Sequence, residues 1–221
     1  MAFTTTLRIL CNHFQVHQRS PPYYMAQDDH FDADYYRRFY GDKRTRVVSQ
    51  PSVRRLATFI VGYARFLGLP LRNALDIGCG VGHWRTALNK LCRSTRYHGV
   101  EFSSYLCERH GWTRGSVVDY APHRSFDLVI CQGVLQYLDD AAAAKAINNL
   151  AKLCRGALYL EALTQRDWDT NCDRSVTDGA VHLRTGAWYQ KRLAKEFTPL
   201  GGGMFKARSA RITSFELETL G

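Results

Sequence analysis

The chain has 221 residues and a mass of 25.2 kDa, which is room for one sizeable buried core. With 45% hydrophobic and 23% charged residues it has the make-up of a globular protein, and this excludes disordered, collagen-like and coiled-coil chains. The 30 Lys and Arg against 20 Asp and Glu give a net charge of +10, and residues 1–72 hold most of the excess, with 11 basic and 5 acidic side chains.

No basic run exceeds two residues, so the charge is dispersed and nucleic acid is not an expected partner. The longest apolar runs, residues 56–64 and 128–135, fall well short of the roughly 20 residues of a membrane-spanning helix. The seven cysteines are an odd number and form no C-x-x-C pair, so neither a disulfide framework nor a zinc site is indicated. A reducing cytoplasm fits this usage, and no metal is expected.

Residues 1–24 carry Arg8, Arg19, His13 and His17 without an acidic residue, but have no long apolar stretch, and they are read as an unassigned N-terminal extension. Residues 25–50 follow as a segment rich in Tyr and Arg. Tyr35, Tyr36, Phe39 and Tyr40 either pack on the domain or form a lid over a substrate, with Arg46 near its end. Residues 51–221 make the main domain. Val53, Leu56, Ala57, Ile60, Tyr63, Ala64 and Leu67 recur at three and four, after Pro51 and before Gly68, which predicts an amphipathic helix.

A strand at residues 74–77 then runs into Gly78-Cys79-Gly80-Val81-Gly82 and a helix at 83–91. Further strands are expected at 97–101, 115–118, 126–131 and 157–160, with helices at 103–110 and 140–153 between them. This alternation predicts a doubly wound α/β domain with a mostly parallel sheet and helices on both faces. Residues 164–185 form a long polar loop, rich in Asp, Asn, Arg and Thr, that suits a cover for an acceptor. A helix at 187–196 and two short strands at 204–207 and 212–217, an antiparallel C-terminal pair, close the domain.

The chemistry points to the glycine loop. Between a strand's carboxyl end and a helix, glycines let backbone N–H groups approach a ligand closely. The dinucleotide pattern G-x-G-x-x-G does not fit, because the third glycine comes one residue early and His83 takes its place, which argues against NAD or FAD. Asp76, at the strand end, suits a cofactor carrying an ammonium. Cys79 and Cys131 read as small buried residues, His83 as a first-turn helix residue, and Asp127 as a structural group where the fourth strand begins.

The stretch Leu75-Asp76-Ile77-Gly78-Cys79-Gly80-Val81-Gly82 resembles motif I of the class I S-adenosylmethionine (SAM) dependent methyltransferases. Residues 126–138 resemble the fourth strand of that family and the loop after it. The resemblance covers residues 51–163 and implies a seven-stranded sheet, SAM as cofactor, and Glu101, 21 residues beyond Gly80, as the acid that accepts the ribose hydroxyls. It implies that Asp76, Gly78, Cys79, Gly80, Gly82, Glu101, Phe102, Ser116, Val117, Gln132 and Gly133 bind the cofactor. Ser116 stands where many members carry an Asp for adenine, and Asp119 or backbone groups are the alternatives for that contact.

Gln132-Gly133-Val134-Leu135, in place of an Asn-Pro-Pro-Tyr or Asp-Pro-Pro-Tyr motif, speaks against adenine and glutamine amino methyltransferases. The Gln136-Tyr137 pair resembles that of small-molecule members, so the expected acceptor is a small or medium-sized molecule, with Tyr36, Gln136, Tyr137 and His182 as catalytic candidates. An RNA or protein methyltransferase, or a non-catalytic SAM-binding regulatory subunit, are the alternative readings. The oligomeric state is not read from the sequence.

Overall fold

A computed structural model describes residues 28–46 and 48–216. The extension at residues 1–24 and the end of the last expected strand at Leu217 lie outside the described residues. Seven strands form one sheet in the order β3-β2-β1-β4-β5-β7-β6, where β1 is Asn73–Ile77, β2 Arg96–Glu101, β3 Thr113–Arg114, β4 Phe126–Gln132, β5 Cys154–Glu161, β6 Phe197–Gly201 and β7 Met204–Ala207. Strands β1 to β5 pair in parallel, and β7 lies antiparallel between β5 and β6. The doubly wound, mostly parallel seven-stranded sheet expected from the sequence is thus present.

Helix α1 (Ala33–Tyr36) runs into a wide π turn at Arg37–Gly41 and precedes α2 (Gln50–Phe66), α3 (His83–Leu91), α4 (Ser104–His110), α5 (Asp140–Leu153), α6 (Gln165–Thr170) and α7 (Gly186–Leu193). The start of α2 is fixed by Ser49 and Ser52, which cap each other's backbone, and by Pro51 in the first turn. Among the described residues no helix is long and apolar enough to cross a membrane.

Successive strand residues face opposite sides of the sheet, and both sides are covered. Leu128 and Ile130 join Val53, Ala57 and Ile60 of α2 and Trp84 and Leu88 of α3 on one side. Val129 and Cys131 join Leu75, Ile77, Ile147 and Leu150 of α5 and Leu193 of α7 on the other. Each such fully buried aliphatic side chain contributes about 1.5 to 3 kcal/mol. Asp127 is structural, as its sequence setting suggests: its carboxylate accepts from the Arg72 and Asn73 N–H groups at 2.7 and 2.9 Å and pairs with Arg155 at 2.8 Å.

Three expectations need correction. The antiparallel pair is β6 with β7, and residues 211–215 form no strand. Pro199 obscures β6 in the sequence, yet β6 is the sheet edge, where a missing N–H does no harm. Gly201, Gly202 and Gly203, with φ of 84°, 58° and 79°, then make the tight reversal into β7. The third strand lies at Thr113–Arg114 rather than at 115–118, where the backbone instead turns along the crevice described below. The polar stretch 164–185 is not all loop, since Thr164 and Asp167 build a capping box that starts α6.

Candidate active site

The chain moves outward from β1 to β2 and β3, then returns to place β4 on the other side of β1. A crevice opens beyond the carboxyl ends of strands at such a reversal, and here the glycine loop lies in it. Gly78 and Cys79 donate to the Val100 carbonyl at 2.8 and 3.1 Å, and Gly80 donates to Glu101 Oε2 at 2.7 Å. Trp112 Nε1 donates to the Gly80 carbonyl at 2.9 Å, so the loop is held from both sides. Gly80 has φ of +51°, and a Cβ built on it would meet no atom within 4 Å: the space in front of it is open.

Glu101 is only 6% exposed and clamps three backbone donors, because its Oε1 also accepts from Phe102 and Ser103 at 2.8 and 3.1 Å. Burial pushes its carboxyl up, and the three N–H groups pull the other way without cancelling the rise. Asp76 is 1% exposed and accepts from the Tyr97 hydroxyl at 2.6 Å. Burial raises its carboxyl to about 7, with the Tyr97 bond opposing and the Glu101 charge adding.

Of the residues expected at a cofactor, Gly78, Gly80, Glu101, Phe102, Ser116, Val117, Gln132 and Gly133 line the crevice. Asp76 and Cys79 line a second chamber that shares Gly78, Gly80, Gln132 and Gly133 with it. Gly82 lines neither and serves as the left-handed cap before α3. Ser116 Oγ accepts from the Val118 N–H at 3.2 Å, and Asp119 is exposed and outside the lining.

Of the catalytic candidates, Tyr36 lines the crevice, Gln136 the chamber, and Tyr137 both. Gln136 also braces the chain, since its carbonyl accepts from the His182 N–H at 2.7 Å. His182 is exposed and lies outside both spaces, as does Arg46. From the aromatic segment Phe31, Tyr35, Tyr36 and Tyr40 line the crevice, and Ser103 Oγ donates to the Phe31 carbonyl at 2.6 Å.

Several chamber residues escaped the sequence reading. Trp84 Nε1 donates to Gln132 Oε1 at 2.7 Å, Gln132 donates to Glu161 at 3.2 Å, and the Tyr159 hydroxyl donates to Glu161 at 2.7 Å. The Tyr35 and Tyr137 hydroxyls share a 3.0 Å hydrogen bond, and Asp178 lies beside Tyr137 and 3.4 Å from His30 Nε2. Burial alone would raise the Asp178 carboxyl, but His30 and the Ala180 N–H hold it below its ordinary range. Burial pushes the Tyr35, Tyr40 and Tyr137 hydroxyls and the Cys79 and Cys131 thiols up, so neither thiol is activated.

Residues 75–156, from β1 into β5, match the family model described as a methyltransferase domain. That stretch is similar to methyltransferase domains. Nodulation protein S of Sinorhizobium fredii (strain NBRC 101917 / NGR234) is 28% identical over 93 residues, covering 38% of this chain and 43% of that protein, so the match spans less than half of the relative's length. The domain's fold is that of solved class I methyltransferases. The N-methyltransferase NodS from Bradyrhizobium japonicum WM9, solved with S-adenosylhomocysteine, superposes with a TM-score of 0.55 at 18% identity, over 79% of this chain and 97% of that one. Magnesium protoporphyrin IX methyltransferase from Synechocystis PCC 6803 gives 0.57 at 19% identity, over 85% and 98%.

Proposed function

We propose that this chain is a SAM-dependent methyltransferase that moves a methyl group to a small or medium-sized acceptor by in-line displacement. The observation that carries the reading is the Gly80 cradle. A left-handed glycine faces open space, and its N–H is anchored to the carboxylate that ends β2. The residues fit SAM on their chemistry: Glu101 offers acceptor oxygens to ribose hydroxyls, Asp76 a buried carboxyl toward an ammonium, and Val117, Val118, Leu138 and Ala142 an apolar slot for a purine.

When bound, SAM supplies a methyl group made electrophilic by its sulfonium. The chain's own part is to align the acceptor and to exclude water, which Phe31, Tyr35, Tyr36 and Tyr40 are placed to do from above the crevice. The cover also favours a small acceptor over a macromolecular one, and the N-methyltransferase NodS and magnesium protoporphyrin IX methyltransferase, which share the fold, support a small-molecule reading. A cytoplasmic location rests on cysteine usage: no disulfide joins the six described cysteines.

Incubating the full chain with SAM labelled in its methyl group and a metabolite extract, followed by mass spectrometry, tests the reading. A labelled product that needs the intact chain is expected. SAM binding with no labelled product from any extract would favour a non-catalytic binding subunit.

A further inference from the structure

The chamber beside the glycine loop differs in character from the protein around it. The chain carries a net charge of +10, yet among the described residues no Lys or Arg lines this space, whereas Asp76, Glu161 and Asp178 do. Asp76 is satisfied by Tyr97, and Glu161 by Tyr159 and Gln132, which leaves Asp178 as the carboxylate held in its charged form. Beside it stand the rings of Tyr35, Tyr40 and Tyr137.

Two polar groups on this wall have no hydrogen-bond partner among the described residues. The Tyr40 hydroxyl makes no hydrogen bond among the described residues, although the side chain lines both spaces. His83 is the second. Gln50 donates through its amide nitrogen to the His83 carbonyl at 3.1 Å, so its oxygen must accept from His83 Nδ1 at 2.7 Å. That fixes the tautomer and leaves Nε2 as a bare acceptor, which is buried with no hydrogen-bond partner among the described residues. Burial and the nearby Arg46 charge push the pKa of this ring below the ordinary imidazole value. A buried acceptor without a donor is unfavourable unless a ligand completes it.

A carboxylate, a bare imidazole nitrogen and three tyrosine rings together offer negative charge, lone pairs and π faces. They call for a guest that is cationic and rich in N–H donors. We infer that this chamber is the acceptor subsite and that it takes a protonated aliphatic amine, held by Asp178 and His83 among Tyr35, Tyr40 and Tyr137. The inference rests on the methyltransferase reading and narrows it to nitrogen.

The same geometry accounts for the proton. An ammonium has no lone pair, so one N–H bond must break before nitrogen can attack. Its electron pair stays on nitrogen and the proton passes to solvent water, while the charged Asp178 accepts a hydrogen bond from a remaining N–H and holds the amine in place. His30, whose ring contacts Asp178 Oδ2 and is exposed, offers that proton a way to solvent.

Three probes of one shape, phenethylamine, 2-phenylethanol and 3-phenylpropanoate, separate the possibilities when titrated calorimetrically into the full chain with and without S-adenosylhomocysteine. The amine should bind the loaded chain at least tenfold tighter than the alcohol, and the carboxylate weakest. Asp178→Asn should weaken the amine tenfold or more, change the alcohol less than twofold, and leave S-adenosylhomocysteine affinity unchanged. Equal affinities, a tighter alcohol or carboxylate, no measurable probe binding, or an amine preference that survives Asp178→Asn would each overturn the inference. The ranking on the unmodified chain decides the matter even if the variant does not fold. Failure of the chain to bind S-adenosylhomocysteine would instead remove the methyltransferase reading itself.

Discussion

Replacing Glu101 by Gln tests how one carboxylate can shape the loop and hold a ligand together. In the structure its two oxygens accept from Gly80, Phe102 and Ser103 at 2.7, 2.8 and 3.1 Å. The amide keeps one oxygen, which can serve either Gly80 or the Phe102 and Ser103 pair, and turns an N–H₂ group toward the other. An unsatisfied buried donor of this kind costs about 1 to 3 kcal/mol, and relief from burying a charge offsets part of it. A loss of stability of about 1 to 2 kcal/mol is therefore expected in urea denaturation. SAM should lose more, because the amide also gives up a charged acceptor for ribose hydroxyls, worth about 1.5 to 3 kcal/mol per bond. At about 1.4 kcal/mol per decade this is at least a tenfold rise in Kd by calorimetry. A 2′,3′-dideoxyribose analogue of S-adenosylhomocysteine isolates the contact, since it should bind the unmodified chain weakly and lose little further in Glu101→Gln. Unchanged SAM affinity in a folded variant, or a full additive loss with the analogue, would show that Glu101 serves the loop alone.

Gly80→Ala separates folding from binding: its Cβ meets no atom, so the left-handed φ of +51° is the main cost, about 1 to 2 kcal/mol or a few degrees in Tm, while SAM affinity should fall more than tenfold. Asp76 sets a pH dependence in the ligand-free chain. Its folded carboxyl, near 7, lies above the ordinary 3.8, so its contribution to stability is complete below about pH 4 and is lost as pH rises through 7. Asp76→Asn should flatten the urea midpoint between these values, and an unaltered slope would place the titration elsewhere. Removing residues 1–46 should leave a cooperative thermal transition, because both hydrophobic cores are built from Val53 onward, but should sharply reduce methyl transfer. Full turnover by the shortened chain would make the aromatic segment mere packing.

The parts of the fold that were legible in the sequence are those written in local pattern. Helices 83–91 and 140–153 begin and end where their apolar periodicity and capping residues place them, and the strand, glycine loop and helix around Gly80 could be read residue by residue. What failed depended on neighbours. β6 hid behind Pro199 because only its position at the sheet edge makes that proline harmless, and β3 proved too short for an alternation to register. The crevice residues Gly78, Gly80, Glu101 and Ser116 were found because a motif names them. Trp84 and Glu161 were not, since the chamber gathers its lining from separated parts of the chain. The polar stretch 164–185 was read as a whole, and only the fold singles out Asp178 at the chamber and leaves His182 outside.

The central claim is that the crevice around Gly80 is a SAM site, and calorimetric titration of SAM and S-adenosylhomocysteine into the full chain and its Gly80→Val variant tests it most directly. Saturable binding of both compounds at one site per chain, lost when the valine side chain fills the open cradle, is the predicted result. Heat from NAD with none from SAM, or SAM binding unaffected by the valine, would contradict it.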